Sequence, residues 1–237
     1  MQGHIDSIET LGLLDGPGIR VVVFLQGCPL RCLFCHNPET WFVNDKMLIT
    51  PEDLVRHIYK YKNYFGENGG VTFSGGEPMY QHEFLLECLK LCKKMQINTC
   101  IDTSGVGENY EEILKYTDLV IWDVKALEPD NYTKITGNKI EKSLKFLETC
   151  QKMNKRMWIR QVIVPGINDN VEYINKLKKF IKPLKNIEKV ELLPYHTMGV
   201  QKYEKLNIPY RLQGTPEMNK EKCKELYKIL TSWEKWL

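Results

Sequence analysis

Short apolar runs rich in β-branched residues alternate along the chain with longer stretches in which apolar residues recur at helical spacing. This alternation is typical of βαβ units, in which helices pack on a sheet of parallel strands. Six of the short runs are predicted to be strands, and they cover residues 20–26, 70–74, 98–103, 119–124, 157–164 and 189–195.

Helix signals lie between these runs. Thr50 is followed by Pro51 and Asp53, which is the pattern of an N-cap, a first-turn proline and a first-turn acid, and this helix is predicted to reach about residue 64. A second helix is predicted over residues 81–95. Its apolar face contains Cys88 and Cys92, which we interpret as small core residues. A helix over residues 217–236 is predicted to close the chain.

The number of strands decides the predicted architecture. A closed barrel has eight βα units, whereas this sequence offers six strands, with none in its first 18 or last 20 residues. We therefore predict an α/β fold, a partial (β/α)6 TIM-like barrel, in a single domain covering residues 1–237. A doubly wound sheet is the alternative, and in either case ligands bind beyond the carboxyl ends of the strands.

Composition excludes several classes of protein. The chain has 237 residues, 43% of them hydrophobic, which argues against disorder. Its net charge of +3 comes from 33 basic and 30 acidic residues scattered along the chain, so no basic patch indicates nucleic acid. The longest purely apolar run, residues 21–25, is far too short for a membrane span, and the N-terminus lacks a signal-peptide pattern. We expect a cytoplasmic protein with reduced thiols.

Three of the eight cysteines form one cluster. Cys28, Cys32 and Cys35 have the spacing C-x3-C-x2-C and follow the first predicted strand. Thiolates select soft metal centres, but structural zinc and iron–sulfur sites normally have four protein ligands. A [4Fe–4S] cluster on three thiolates would leave one iron open for a substrate or cofactor. A zinc site completed by a distant residue, or simple reduced thiols, remain alternatives.

The cysteine spacing, together with six further segments, resembles the radical S-adenosylmethionine (SAM) enzymes, and within them the activases of glycyl radical enzymes. The resemblance spans nearly the whole chain. The segments are Asp15 to Arg20 (DGPGIR), Cys35 to Asn37 (CHN), Ser74 to Glu77 (SGGE), Asp123 to Lys125 (DVK), Trp158 to Arg160 (WIR) and Leu193 to His196 (LPYH).

This resemblance implies a role for particular residues. Cys28, Cys32 and Cys35 would be the catalytic ligands of the [4Fe–4S] cluster, and Asp15 would contact the glycyl loop of the protein substrate. Arg160 would meet the SAM carboxylate, with a structural salt bridge as the alternative. The implied SAM-binding residues are Phe34, Cys35, His36, Gly75, Gly76, Glu77, Asp123, Val124, Lys125, Arg160 and His196.

Within that set, the GGE segment would grip the SAM amino group, and His196 would contact the ribose or adenine side. Phe34 stands where relatives often carry Tyr, so a hydroxyl contact is lost there while stacking survives. A monovalent cation, Na⁺ or K⁺, is implied near the SAM carboxylate. Its ligands would be Asp102, Thr103, Asp123 and the backbone carbonyl of Ile121.

The activity implied by the resemblance is reductive cleavage of SAM to a 5′-deoxyadenosyl radical, which abstracts a hydrogen from a backbone glycine of a partner enzyme. Pyruvate formate-lyase is the expected partner, because no ferredoxin-like insert lies between Trp41 and Gly70. A different glycyl radical enzyme is the first alternative, and a non-catalytic iron–sulfur or zinc protein is the second. Flavodoxin or ferredoxin as the electron donor, anaerobic metabolism and a monomeric state are further expectations.

Overall fold

The computed structural model describes residues 1–232. Its strands are β1 (Gly3–Gly12), β2 (Arg20–Leu25), β3 (Leu48–Ile49), β4 (Gly70–Gly75), β5 (Thr99–Thr103), β6 (Leu119–Asp123), β7 (Arg156–Ile163) and β8 (Ile187–Pro194). Its helices are α1 (Pro51–Tyr59), α2 (His82–Lys94), α3 (Tyr110–Lys115), α4 (Pro129–Thr136), α5 (Glu141–Lys152), α6 (Val171–Ile181), α7 (Val200–Lys205) and α8 (Lys220–Thr231). Short 3-10 turns occupy Pro38–Thr40, Lys62–Tyr64 and Pro78–Gln81.

All eight strands belong to one sheet, in the order β3-β1-β2-β4-β5-β6-β7-β8. From β2 to β8 the pairing is parallel, and β1 pairs antiparallel with β2 and β3. Within residues 1–232 the two end strands, β3 and β8, do not pair with each other, so the sheet stays open. The fold is the predicted partial barrel of six parallel strands, extended by an antiparallel edge.

The two faces of the sheet have separate cores because side chains alternate along each strand. Val21, Val23 and Leu25 belong to the large core between the sheet and its helices. A smaller cluster of Cys100, Leu119 and Ile121, with Trp158 packed against it, lies on the opposite face. Strands buried on both faces read as continuous apolar runs, which explains why β2 was recognisable in the sequence.

The six predicted strands are confirmed, but the prediction of no strand in the first 18 residues is wrong. β1 lies near the edge of the sheet, and its residues from Ser7 to Leu11 are exposed or partly exposed, so it lacks the continuous apolar run of a buried strand. β3 has only two residues. Neither strand offers the signal that a buried parallel strand gives.

The predicted helices are present, but α1 ends earlier and α8 begins later than predicted. Thr50 caps α1 by accepting a hydrogen bond from the Asp53 N–H, but α1 ends at Tyr59 rather than near residue 64. The closing helix begins later than predicted, at Lys220, because the Asn219 side chain caps it. The predicted continuation over residues 233–236 lies outside the described residues. No helix within residues 1–232 is both long enough and apolar enough to cross a bilayer.

The cysteines outside the C-x3-C-x2-C loop are core residues, as predicted. All five are free thiols and buried; four of them are completely inaccessible to solvent, and Cys223 is 5% exposed. They are Cys88, Cys92, Cys100, Cys150 and Cys223.

Candidate active site

A cavity of about 280 Å³ lies beyond the carboxyl ends of the parallel strands. The structure brings together most of the residues singled out in the sequence around it. Those lining the cavity are Asp15, Cys28, Cys32, Phe34, Cys35, His36, Gly75, Gly76, Asp102, Thr103, Asp123, Lys125 and Arg160. Glu77 and Val124 are adjacent in the chain to lining residues but are not among them, and Ile121 and His196 do not line the cavity either.

The loop that carries the three cysteines is held by backbone hydrogen bonds within itself and to two other segments of the chain. The Cys28 N–H donates to the Trp41 carbonyl at 3.2 Å, and the Cys35 N–H donates to the Cys32 carbonyl at the same distance. In the middle, the Arg31 N–H donates to the Thr136 carbonyl at 2.7 Å, at the end of α4. The loop therefore has a fixed shape that points all three thiols into the cavity.

Burial governs the protonation of these thiols. It raises the pKa of Cys28 and of Cys35, and it raises the pKa of Cys32 to about 12 although the Lys125 charge opposes the shift. Metal binding requires thiolates, so loading this loop must release protons. Three sulfur donors fit a soft metal centre. As placed here, no group of three Cys, His, Asp or Glu side chains within residues 1–232 converges on one metal ion.

Gly75 and Gly76 form the wall next to the cysteine loop. A Cβ on Gly75 would lie 2.3 Å from the Leu25 nitrogen, and one on Gly76 would lie 2.5 Å from the Gly27 carbonyl oxygen. Only glycine allows the ends of β2 and β4 to approach this closely. The Gly76 N–H already donates to the Leu25 carbonyl at 2.8 Å, so this donor is not free for a ligand.

Glu77 is completely buried, and its carboxylate turns away from the cavity into a closed hydrogen-bond network. The Thr103 hydroxyl donates to Oε1 at 2.6 Å, and the Ser104 hydroxyl donates to Oε2 at 2.7 Å. Backbone N–H groups of Met79 and Ser104 add two more bonds. Burial raises the pKa of Glu77 even though these donors favour the charged form. The structure thus places this side chain where it fixes the loops around Gly75 and Gly76.

Arg160 binds four groups at the floor of the cavity. Its guanidinium lies 2.8 Å from Asp102 Oδ2 and 3.1 Å from Glu191 Oε2, and it donates to the Leu14 carbonyl at 2.7 Å. Asp15 Oδ1 is 3.8 Å away. Burial would lower the pKa of Arg160, but the carboxylates of Asp102 and Glu191 outweigh it and raise the pKa. The salt-bridge alternative for Arg160 is therefore what the structure displays.

Asp123 and Lys125 form a second ion pair, at 2.5 Å between Oδ2 and Nζ. The Lys125 ammonium also lies 5.6 Å from the centre of the Phe34 ring. Burial would lower the pKa of Lys125, but the Asp123 carboxylate reverses the effect and raises it. The other oxygen, Asp123 Oδ1, is buried and has no hydrogen-bond partner among residues 1–232. A buried anionic oxygen without a partner suits a cation or a ligand donor.

Burial, opposed by Arg160 and reinforced by Asp123, raises the pKa of Asp102 to about 6. The carboxylates of Asp102 and Asp123 are therefore close enough to repel each other in their charged forms. Thr103 differs from the prediction in orientation, because its hydroxyl is engaged by Glu77 and by the Gly105 N–H. Asp102 and Thr103 point to opposite faces of β5, as neighbours on a strand must.

His36 and His196 stack with ring centres 4.0 Å apart and planes 13° from parallel. The His36 Nε2 atom is 3.0 Å from the His196 carbonyl oxygen, which brings the cysteine loop to the end of β8. Burial lowers the pKa of His36. His196 Nδ1 is buried without a partner in the described part of the chain, so this ring retains a free hydrogen-bonding atom.

Sequence reasoning missed three residues of the site. Glu191 pairs with Arg160 from the neighbouring strand, in register with it. Trp41 lines the cavity and donates from its indole to the Cys35 sulfur at 3.3 Å. Tyr203 donates to the Cys35 carbonyl at 2.9 Å from 168 positions away. Only Glu191 left a signal, as a charge between apolar residues of a predicted strand.

Known proteins resemble this chain in sequence and in structure. The sequence model of the radical SAM superfamily matches residues 22–180. The pyruvate formate-lyase-activating enzyme of Clostridium pasteurianum is 52% identical over 232 residues, which are 97% of this chain and 98% of that protein. The enzyme of the same name from Staphylococcus epidermidis is 43% identical over 240 residues, covering 97% and 96%.

Two solved structures show the same fold. A domain of a pyruvate-formate lyase-activating enzyme from Bacteroides vulgatus matches with a TM-score of 0.57 and 25% identity, over 69% of this chain and 93% of that one. QueE from Escherichia coli matches with a TM-score of 0.55 and 20% identity, over 88% and 92% of the two chains. The second likeness concerns the fold alone.

Proposed function

This chain belongs to the radical SAM superfamily and, within it, to the pyruvate formate-lyase-activating enzymes, and from that premise we propose how its residues divide the work. When bound, a [4Fe–4S] cluster and SAM supply the reductive cleavage that removes one hydrogen atom from a backbone glycine of pyruvate formate-lyase. The observation that carries the assignment of residues is the cavity itself, in which three thiols face glycines and charged strand ends. The remaining cysteines are committed to the core.

We assign Cys28, Cys32 and Cys35 to the cluster, which leaves a coordination position for SAM. The fit rests on the soft donor set and on its common cavity. Each thiol must lose a proton on loading, and the ammonium of Lys125 favours the thiolate of Cys32. Because burial raises all three thiol pKa values, the loop without iron holds its cysteines protonated.

The SAM site proposed here surrounds the same cavity. Because Gly75 and Gly76 have no side chains, SAM can approach the backbone there closely, and the hydrogen bonds of Glu77 hold that turn in place. Lys125 offers a cation for a carboxylate while Asp123 holds it in position. Phe34 and His36 supply flat surfaces, and the unpartnered Nδ1 of His196 supplies a polar contact at the rim. Val124, which directly follows Asp123 at the end of β6, belongs to the same proposed SAM site.

A monovalent cation beside Asp102 and Asp123 is part of the proposal. The unpartnered Asp123 Oδ1 is a buried anionic oxygen whose charge a bound Na⁺ or K⁺ would offset. The Ile121 carbonyl is the proposed backbone ligand. Thr103 already donates one hydrogen bond and accepts another through its hydroxyl, so only its remaining lone pair could serve.

We further propose that Asp15 meets the glycine-bearing segment of the partner, because it is a half-buried carboxylate of the N-terminal loop that lines the cavity. Flavodoxin or ferredoxin is the proposed electron donor, since one electron is needed at a time. A monomer acting in the anaerobic cytoplasm completes the proposal, in keeping with eight free thiols.

Anaerobic reconstitution tests the assignment of the cysteines. The wild-type protein should take up about four irons per chain and, when reduced, should release 5′-deoxyadenosine from SAM. Cys28→Ala should lose both properties. Cys223→Ala, a buried cysteine outside the cavity, should keep both. Tight binding of zinc alone, or iron binding that survives in Cys28→Ala, would contradict the assignment.

A further inference from the structure

Trp41 contacts two of the three cysteine residues in the loop. Its indole Nε1–H donates to the Cys35 sulfur at 3.3 Å, and its backbone carbonyl accepts from the Cys28 N–H at 3.2 Å. The side chain lines the cavity and is only 8% exposed. A buried indole N–H normally finds a hydrogen-bond partner, and here that partner is a thiol sulfur.

The surroundings fix the direction of this donor. The Trp41 N–H donates to the Pro38 carbonyl at 3.2 Å, which closes the 3-10 turn Pro38–Thr40 behind the cavity. The Tyr203 ring meets the indole edge-on, with ring centres 5.7 Å apart. On another side the Arg31 guanidinium lies 5.0 Å from the centre of the indole. Because the backbone is held by Pro38 and the ring by Tyr203 and Arg31, the indole N–H is fixed in its direction towards Cys35.

We propose that Trp41 is a positioning residue that makes the cluster easier to reduce, by donating its indole N–H to the Cys35 thiolate. The inference rests on the proposed function, because it requires Cys35 to ligate iron. Hydrogen bonds to the sulfurs are among the features that set the reduction potential of an iron–sulfur cluster. In the relevant couple, [4Fe–4S]²⁺ accepts one electron and becomes [4Fe–4S]⁺.

The added electron increases the negative charge that the thiolates share. A fixed N–H dipole stabilises this charge more strongly in the reduced form than in the oxidised form, and the burial of the site strengthens the effect. The Arg31 cation on the indole acts in the same direction. Removing the N–H should therefore shift the couple towards the oxidised cluster.

A redox titration of the reconstituted holoprotein measures this shift directly. Dithionite with redox mediators sets the potential, and electron paramagnetic resonance counts the reduced clusters. At the wild-type midpoint, Trp41→Phe should show about a tenfold lower ratio of reduced to oxidised cluster, equivalent to about 59 mV for one electron. Trp158→Phe is the matched control, because Trp158 packs against the small core cluster and not against a cysteine of the loop. It should titrate like the wild type.

A second replacement separates the hydrogen bond from packing. β-(3-benzothienyl)alanine at position 41 keeps the shape of the bicyclic ring but has sulfur in place of N–H, so it should shift the couple as Trp41→Phe does. If Trp41→Phe fails to bind iron, the titration of this isosteric variant still tests the hydrogen bond. A wild-type potential in the isosteric variant would overturn the proposal. Failure of the wild type itself to assemble a cluster would overturn the proposed function as well, so the two failures are distinguishable.

Discussion

Arg160 and Asp102 are 58 positions apart in the sequence and form an ion pair of 2.8 Å between Nη1 and Oδ2 on the inner side of the barrel. The same guanidinium binds Glu191 on β8 and the Leu14 carbonyl in the N-terminal loop. A single side chain thus connects β5, β7 and β8 to the loop that carries Asp15. Arg20 and Thr72 hold the same loop from β2 and β4, through the carbonyls of Pro17 and Asp15.

Arg160→Met should destabilise the iron-free protein by about 3–5 kcal/mol, because it leaves buried carboxylates without their cation. Adding Asp102→Asn should restore part of the loss, since the neutral amide no longer needs that partner. Urea denaturation of the wild type, both single variants and the double variant measures the coupling. Purely additive effects of the two substitutions would contradict the ion-pair account.

Glu77→Gln should lower the free energy of unfolding by about 1–3 kcal/mol. The carboxylate accepts four hydrogen bonds, and an amide nitrogen in either position must face a donor instead. Glu87→Gln, on the partly exposed surface of α2, is the matched control and should change stability by less than about 0.5 kcal/mol. Thermal and urea unfolding check the difference. Equal effects of the two substitutions would show that the network contributes nothing.

Asp118 gives the protein a pH-dependent stability at the opposite end of the barrel. Burial opposes the charged form, but hydrogen bonds from Lys93 and from Thr99 outweigh it and lower the pKa of Asp118. For a carboxyl whose pKa is lowered on folding, the stabilisation is present above the unfolded pKa and is lost as the pH falls through the folded value.

Asp118→Asn should therefore reduce stability at pH 7 by about 1–3 kcal/mol. The difference from the wild type should shrink progressively below about pH 4, where the unfolded carboxyl becomes protonated. Urea denaturation at several pH values between 3 and 7 gives the comparison. A difference that stays constant across this range would exclude the ionised carboxylate as its source.

Asp15→Asn tests the contact proposed with the partner protein. Asp15 lines the cavity through a loop rather than through a strand end, and it lies near Arg160 without a short ion pair. We expect cluster content and 5′-deoxyadenosine release without the partner to stay within about twofold of the wild type. The yield of glycyl radical should fall at least about tenfold, the equivalent of one charge-assisted hydrogen bond. An equal loss in both assays would place Asp15 in the SAM site instead.

The central parallel strands could be predicted because they are buried on both faces and therefore have nearly continuous apolar sequences, as in Val21 to Leu25. The edge could not, because β1 alternates in exposure and β3 pairs through only two residues. Helix starts were readable from capping side chains such as Thr50. The end of α1 was not, because its C-cap is Lys60, an ordinary right-handed residue that carries no stop signal such as a glycine.

The parts of the site formed by residues close together in the sequence could be predicted. The parts that depend on contacts between distant segments could not. The cysteine spacing, the glycine pair and the strand-end carboxylates are each visible in a few consecutive residues. The orientation of Glu77 away from the cavity depends on Thr103 and Ser104, which no spacing rule connects to it. The contacts of Trp41 and Tyr203 with Cys35 likewise arise only when the loop folds against distant segments.

Installation of the radical on pyruvate formate-lyase can be observed directly. The reconstituted, reduced protein is mixed anaerobically with SAM and pyruvate formate-lyase, and electron paramagnetic resonance records the glycyl radical. The account predicts a glycyl signal that requires SAM and disappears with Cys28→Ala. A protein that carries its cluster and cleaves SAM, yet gives this signal only with a different glycyl radical enzyme or with none, would contradict it.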